Sequence, residues 1–273
     1  MLRSRSDTGW WLITHVDHAH LAAAFAERWG NEMFLAPEPR AQVLMGIAVH
    51  DDGWLLRDQH PQITREGRPS AFSSDLVGRY SAFEEIDLED YLAVRDRAVR
   101  LVAQVDPYAA MLVSMHTYDL LANRADRSTI PQAKLPLLDA FLLQQKTLQQ
   151  ELYSAIAAEP ALHSTDVQRG RIEQHFRLLQ ACDNLSLLSC VNYSRPASLL
   201  HSLPLRNGES LPVNVFPIAD RRFRLNPYPF DASPLTFDFP VRHVPGETFS
   251  SAEELQQLFN TATRELLSVT ITA

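Results

Sequence analysis

The sequence predicts a mainly α fold: a helical bundle over residues 1–200, with a C-terminal β-rich (α+β) appendage over residues 201–273 that carries one helix and packs on the core. Three observations predict it. Apolar residues in the first two thirds recur at helical spacing between recognisable caps and stops. After about residue 200 the pattern changes to alternation of apolar and polar residues. Nine of the 17 prolines follow residue 195, where turns and short strands replace long helices. At ~150 residues per domain, a chain of 273 residues holds a little under two domains. That length buries enough surface to fold without disulfides or a structural metal.

The elements follow in order. Asp17 caps a helix through HAHLAAAFAERWG that stops at Gly30. After the Pro37–Pro39 turn, RAQVLMGIAVH is a largely apolar helix ending in Asp51-Asp52-Gly53. Residues 55–86, with Pro61, Gly67, Pro69 and a serine-rich turn, read as a long irregular connection of the kind that serves as a functional loop. Asp87 caps the helix DLEDYLAVRDRAVRLVAQV, and Asp106-Pro107 opens PYAAMLVSMHTYDLLANRA. A further helix covers 133–158, and the longest runs from Thr165 to about Tyr193. VNVFPIA, RRFRLNP, LTFDFPVRHV and SVTITA are strands; between the last two, a capping box at Ser250-Ser251-Ala252-Glu253 starts a helix.

Composition narrows the function. Lys plus Arg number 25 against 33 Asp plus Glu, a formal charge of -8. Nucleic acid and an anionic membrane surface both require a concentrated basic face, so neither is expected as a partner. Cys182 and Cys190 lie eight residues apart within one predicted helix, too far for an unstrained bridge, and fit reduced thiols of a cytoplasmic protein. The apolar run Trp10 to Ile13 is too short for a signal-peptide core, and no run approaches a membrane span. Glycine is scarce, and there is no phosphate-binding glycine loop or Gly-x-Ser-x-Gly elbow.

Chemistry concentrates elsewhere. His50-Asp51 falls where an apolar helix gives way to Asp52-Gly53, so an imidazole and a carboxylate can converge just beyond the helix end. That pair suits a divalent metal of intermediate hardness. Further ligands must come from other helices. His18 opens the first; His116 lies in AAMLVSMHTYDLL; Asp183 lies beside the buried stripe of RLLQACDNLSLLSC, where a carboxylate is costly unless paired or metal-bound. The ordered pattern is His18, His50-Asp51, His116, then Asp183-Asn184-Leu185-Ser186.

In that order the chain resembles the HD-domain superfamily of metal-dependent phosphohydrolases over about residues 10–195. VDHAHLAAAFAERWG, HDDGW, DPYAAMLVSMH and LLQACDNLSL also resemble segments of a little-characterised bacterial family of unknown function. The resemblance implies an HD-domain-like helical core. It implies that His18, His50, Asp51 and Asp183 bind one or two divalent ions (Mn, Fe, Co, Zn or Mg), with His116 as a second-metal ligand or phosphate contact. It implies hydrolysis of a small anionic, phosphorylated substrate, with Asp52 positioning water and His116 stabilising charge. Many catalytic members carry a lysine soon after the His-Asp pair, whereas here Trp54 follows Gly53.

Plainer readings stand beside these. His50 to Gly53 can simply end a helix with Gly53 in a left-handed cap. Asp183 can pair with Arg171 or Arg177, and His116 can be a core histidine. His20 is near enough to replace His18, while His15 and His60 read as surface or supporting residues. Arg57, Arg65, Arg68 and Arg79 in the irregular segment can recognise an anion. Two other functions fit the same residues: a di-iron oxygenase of a small polar substrate, and a non-catalytic domain that binds a ligand or partner.

Overall fold

The computed structural model describes residues 1–78 and 86–273. The chain opens with strands β1 (Leu2–Arg5) and β2 (Gly9–Ile13), then helices α1 (His15–Glu27), α2 (Arg40–Ala48), the short α3 (Leu55–Asp58), α4 (Leu88–Ala103), α5 (Pro107–Asp119), α6 (Leu135–Ala158) and α7 (Arg169–Cys190). Strands β3 (Ala197–Pro204), β4 (Ser210–Ala219), β5 (Arg222–Asn226) and β6 (Leu235–Pro245), helix α8 (Ala252–Thr261) and strand β7 (Arg264–Thr272) follow.

Side-chain caps set the starts of α1, α4, α5 and α8. Asp87 accepts from the Glu89 amide and Asp106 from the Ala109 amide, as the sequence predicts. The first helix instead starts three residues earlier than expected. Thr14 is its N-cap and accepts from the Asp17 amide at 3.0 Å, while its hydroxyl donates to Asp17 Oδ2 at 2.7 Å. The box before α8 is shifted by one residue, with Ser251 capping Glu254.

The expectation of a mainly α, HD-domain-like bundle is overturned. Helix makes up 48% and strand 22% of the protein, and the strands form one curled, mixed, seven-stranded sheet, so the fold is α+β. Strand order is β1-β2-β6-β7-β5-β4-β3; β5 and β7 pair in parallel and the other neighbouring strands in the described sheet are antiparallel. Three of these strands, β1, β2 and β3, are absent from the sequence reading. β2 pairs with β6 through Trp10↔Val244, so the N-terminal ribbon belongs to the same sheet as the C-terminal strands.

The physical reason lies in the core. Phe25, Ile47, Leu112 and Leu179 from the helices share one buried cluster with Leu203, Val215, Phe223, Phe237 and Ile271 from the sheet. Phe25 meets Phe237 edge to face at 4.8 Å, burying α1 against β6. The sheet is therefore a full second layer against which the helices bury their apolar faces. On the far side of the β1-β2-β6 ribbon, α8 covers a separate cluster of Trp10, Leu12, Val244, Leu255 and Phe259. A third cluster, with Tyr91, Leu92, Leu138 and Phe141, joins α4 to α6. Among the described residues, no helix is long and apolar enough to cross a membrane.

Candidate metal centre

Four helical segments deliver the site. His18 lies in the first turns of α1, His116 near the end of α5 and Asp183 in the middle of α7. α2 stops at Ala48, so His50 and Asp51 stand on the turn just beyond it, free of helical side-chain spacing. The left-handed cap considered for Gly53 is not adopted, because Gly53 lies within a 3-10 turn over Asp52–Trp54 and is not among the residues with positive φ. What Gly53 supplies is room: a Cβ there would collide with the Val94 carbonyl oxygen and stand 3.0 Å from the Ala98 amide nitrogen of α4.

The side chains converge in a buried pocket. His18 is 1% exposed, His50 0%, His116 2%, Asp51 5% and Asp183 6%. The Ser186 hydroxyl donates to the His18 carbonyl oxygen at 3.0 Å, so its oxygen accepts from His18 Nδ1–H at 2.7 Å. This leaves Nε2 of His18 turned on Asp51 Oδ2 at 3.1 Å. His50 donates its Nδ1–H to the Ile47 carbonyl oxygen at 2.7 Å. Among the described residues its Nε2 is buried without a hydrogen-bond partner, 3.5 Å from Asp183 Oδ1 and 3.8 Å from Asp51 Oδ2. The ring centroids of His18 and His50 are 5.3 Å apart, and those of His50 and His116 5.1 Å. His116 Nε2 lies 3.9 Å from Asp183 Oδ2, and its Nδ1 is buried and unpartnered among the described residues.

Two overlapping trios result, His18/His50/Asp51 and His50/His116/Asp183, each with ligand atoms within 4.8 Å of one another. Imidazoles fixed by an outer hydrogen bond, with the second nitrogen aimed at shared carboxylates, form the donor set expected of an intermediate divalent ion. An orphaned, fully buried His50 Nε2 fits such an ion.

Charges shape the pocket. Arg95 of α4 is 6% exposed and donates to Asp51 Oδ1 at 2.5 Å. Burial alone would raise the Asp51 carboxyl, but Arg95 and His50 hold it well below the usual range. Burial likewise works against a charged His50, yet Asp51 and Asp183 outweigh it and bring that imidazole to about 9. Burial takes His116 down to about 3, with the repulsion of His50 and Arg95 adding to it, so it is neutral. Asp183 is lowered by His50 and His116 in spite of burial. Behind the site, Trp54 stacks on His15 at 4.3 Å and lies under the Arg95 guanidinium at 5.5 Å. Burial lowers His15 to about 4, against the pull of Asp58, whose carboxylate it contacts at 2.9 Å.

The structure thus gathers His18, His50, Asp51, His116 and Asp183 in one place. Asp52 is in neither trio; it starts the next turn half-buried, with Oδ1 lacking a partner among the described residues and its carboxyl raised by burial. His20 is exposed, and Arg177 pairs with Glu173 rather than Asp183. Arg79 lies outside the described residues. Sequence reading missed Arg95 and the supporting role of Ser186. Ser186 follows Asp183 by three positions, which on a helix places both on one face. Arg95 carries a fainter signal, one arginine among several on α4 but four residues beyond buried Tyr91, whose hydroxyl its Nε contacts at 3.1 Å.

An α+β protein with a buried His/Asp cluster is the class that fold and site define. Residues 1–246 match the family described as "Protein of unknown function (DUF3891)", and the chain belongs to that family. No curated protein and no solved structure matches it.

Proposed function

We propose that the protein is a metal-dependent phosphohydrolase of HD type, acting on a small anionic phosphorylated molecule. The likeness is one of site, in the order His18, His50-Asp51, Asp183, and does not extend to the bundle fold. The observation that carries it is the pair of buried histidines whose Nδ1 atoms are occupied by Ser186 and Ile47 while both Nε2 atoms face Asp51 Oδ2, at 3.1 and 3.8 Å. His18, His50, Asp51 and Asp183 would hold one or two divalent ions, with His116 completing the second trio. Such an ion lowers the pKa of a coordinated water and polarises a phosphoryl oxygen.

The chain's own residues do the rest. Asp52 Oδ1 accepts a proton or hydrogen bond from the attacking water, a role its raised carboxyl suits. His116, neutral through burial, donates from Nδ1 to charge developing on the transferred group. Arg95 offsets the charge of Asp51, which lessens the negative field that an anionic substrate meets at the site.

A second reading has its own observation. With Arg95 and a protonated His50, the two carboxylates are balanced by two cations, which supports a metal-free ligand-binding domain. Metal analysis by mass spectrometry on protein purified without chelator, followed by phosphate-ester assays of wild type and Asp51→Ala, separates the readings. One or two Mn, Co, Zn or Mg ions with hydrolysis lost in the variant is the expected result. No retained metal with identical variant behaviour overturns it, and two irons per chain overturn it in favour of an oxygenase.

A further inference from the structure

A second cationic pocket lies away from the His/Asp cluster and shares no residue with it. Its walls include Arg3 and Arg5 of β1, Trp10 of β2, Arg68 and Ser73 of the irregular connection, and Asn192 just beyond α7; they enclose about 300 Å³. In a protein of formal charge -8, three guanidinium groups on one cavity are a local reversal of sign. Asp75 is the carboxylate among the lining residues, and it is exposed.

The pocket is built rather than incidental. Arg3 is 9% exposed and anchored by donation to the Pro69 carbonyl oxygen, with its guanidinium 5.2 Å from the Trp10 ring centroid. Arg5 lies 4.8 Å from the same centroid. Trp10 is itself fixed through Nε1 donating to the Glu247 carbonyl oxygen at 2.9 Å. Aromatic support of this kind limits the freedom of both cations before any ligand arrives. Ser73 is 6% exposed, and its hydroxyl is buried with no partner among the described residues. An unsatisfied buried hydroxyl is costly, so its presence beside arginines points to an acceptor it meets when the cavity fills. Arg5 pairs with Glu247 at 3.1 Å, but both are more than half exposed, and such a pair yields readily to a better anion.

We infer that this pocket binds a small phosphate-class anion, either free or as the terminal group of a small molecule, through Arg3, Arg5, Arg68 and the Ser73 hydroxyl. Arginine forks match the oxygens of a tetrahedral oxyanion, and the hydroxyl supplies a further donor. The inference does not depend on the metal reading.

Calorimetric titration of the full-length chain with inorganic phosphate, and separately with glucose 6-phosphate, tests it. Excess chelator and constant ionic strength keep any metal out of the His/Asp cluster. Saturable 1:1 binding by wild type is expected, with the tighter of the two probes identifying the source. Ser73→Ala removes an unpartnered hydroxyl, keeps the fold, and weakens binding about tenfold, as expected for a lost hydrogen bond to a charged group. The double variant Arg5→Gln/Arg68→Gln, changed at exposed positions, weakens it by about tenfold or more, while Asp183→Asn leaves it unchanged. No saturable binding by wild type below about 20 mM, a weak limit on the affinity scale, overturns the inference. So does undiminished binding by both pocket variants, or loss of binding in a folded Asp183→Asn protein.

Discussion

Gly53 lies directly against Val94 of α4, with no space between the two backbones for a side chain. The contact fixes the turn carrying His50 and Asp51 to the helix carrying Arg95. Gly53→Ala therefore forces α4 away and lowers stability by about 1–3 kcal/mol, in the range for overpacking against rigid neighbours. Gly170 provides the control: in the first turn of α7, a Cβ there meets nothing within 4 Å. Gly170→Ala is expected to be neutral or to stabilise by up to ~1 kcal/mol. Urea denaturation followed by circular dichroism measures both, and equal midpoints would sink the packing argument.

Arg95→Met leaves Asp51 buried without its guanidinium. A broken buried pair of this kind costs about 3–5 kcal/mol. The pH dependence gives a second check. Asp51 sits below its unfolded value, so its contribution is present above about pH 4 and lost as pH falls further. Without Arg95 that contribution shrinks, and the gap in unfolding free energy between wild type and variant narrows below about pH 4. A gap that is constant with pH would show that the pair is not what the variant removes.

Ser186→Ala deprives His18 Nδ1–H of its acceptor. If the cluster holds metal as proposed, affinity falls about 10- to 100-fold, the usual effect of losing a residue that orients a ligand histidine. Competition with a chromophoric chelator reads the change. Unaltered affinity in a folded variant would remove Ser186 from the design of the site.

His175 gives a prediction away from the cluster. It is buried, its Nδ1 shares a hydrogen bond with the Tyr108 hydroxyl at 2.7 Å, and burial with Arg171 nearby holds it down at about 3. The unfolded chain takes up this proton near pH 6.5 and the native state only near 3, so stability declines between those limits as pH falls. The slope attributable to this one group is about 1.4 kcal/mol per pH unit. His175→Gln flattens the acid limb by about one proton in a series of urea melts; an unchanged slope would contradict it.

How much of this was legible beforehand differs by element. The caps at Asp87 and Asp106 are local side-chain chemistry, and both could be read directly. The alternating strands from Val213 onward also announced themselves, because one face of each is wetter than the other. β2 did not. Its GWWLI run has no alternation, since Leu12 and Trp10 face the α8 cluster while Ile13 and Trp11 face the main core. A strand buried on both sides looks like any short apolar segment. β3 is broken by an irregular register between Ser198 and Ser202, which disrupts its period. Asp183 and His116 were legible as polar groups beside apolar stripes and His50-Asp51 as a pair at the end of an apolar helix, while His18 joined them through the order of the pattern. Arg95 and Ser186 were obscure for the opposite reason, as arginine and serine are unremarkable on helices until their burial is known.

The N-terminal ribbon also constrains the order of events during synthesis. Ser6 and His243 share a hydrogen bond at 2.9 Å across 237 positions of chain. α1, with His18, leaves the ribosome directly behind that ribbon, long before β6 exists to dock it. A nascent chain interrupted before β6 therefore carries every proposed ligand but lacks the strand whose Phe237 packs on α1.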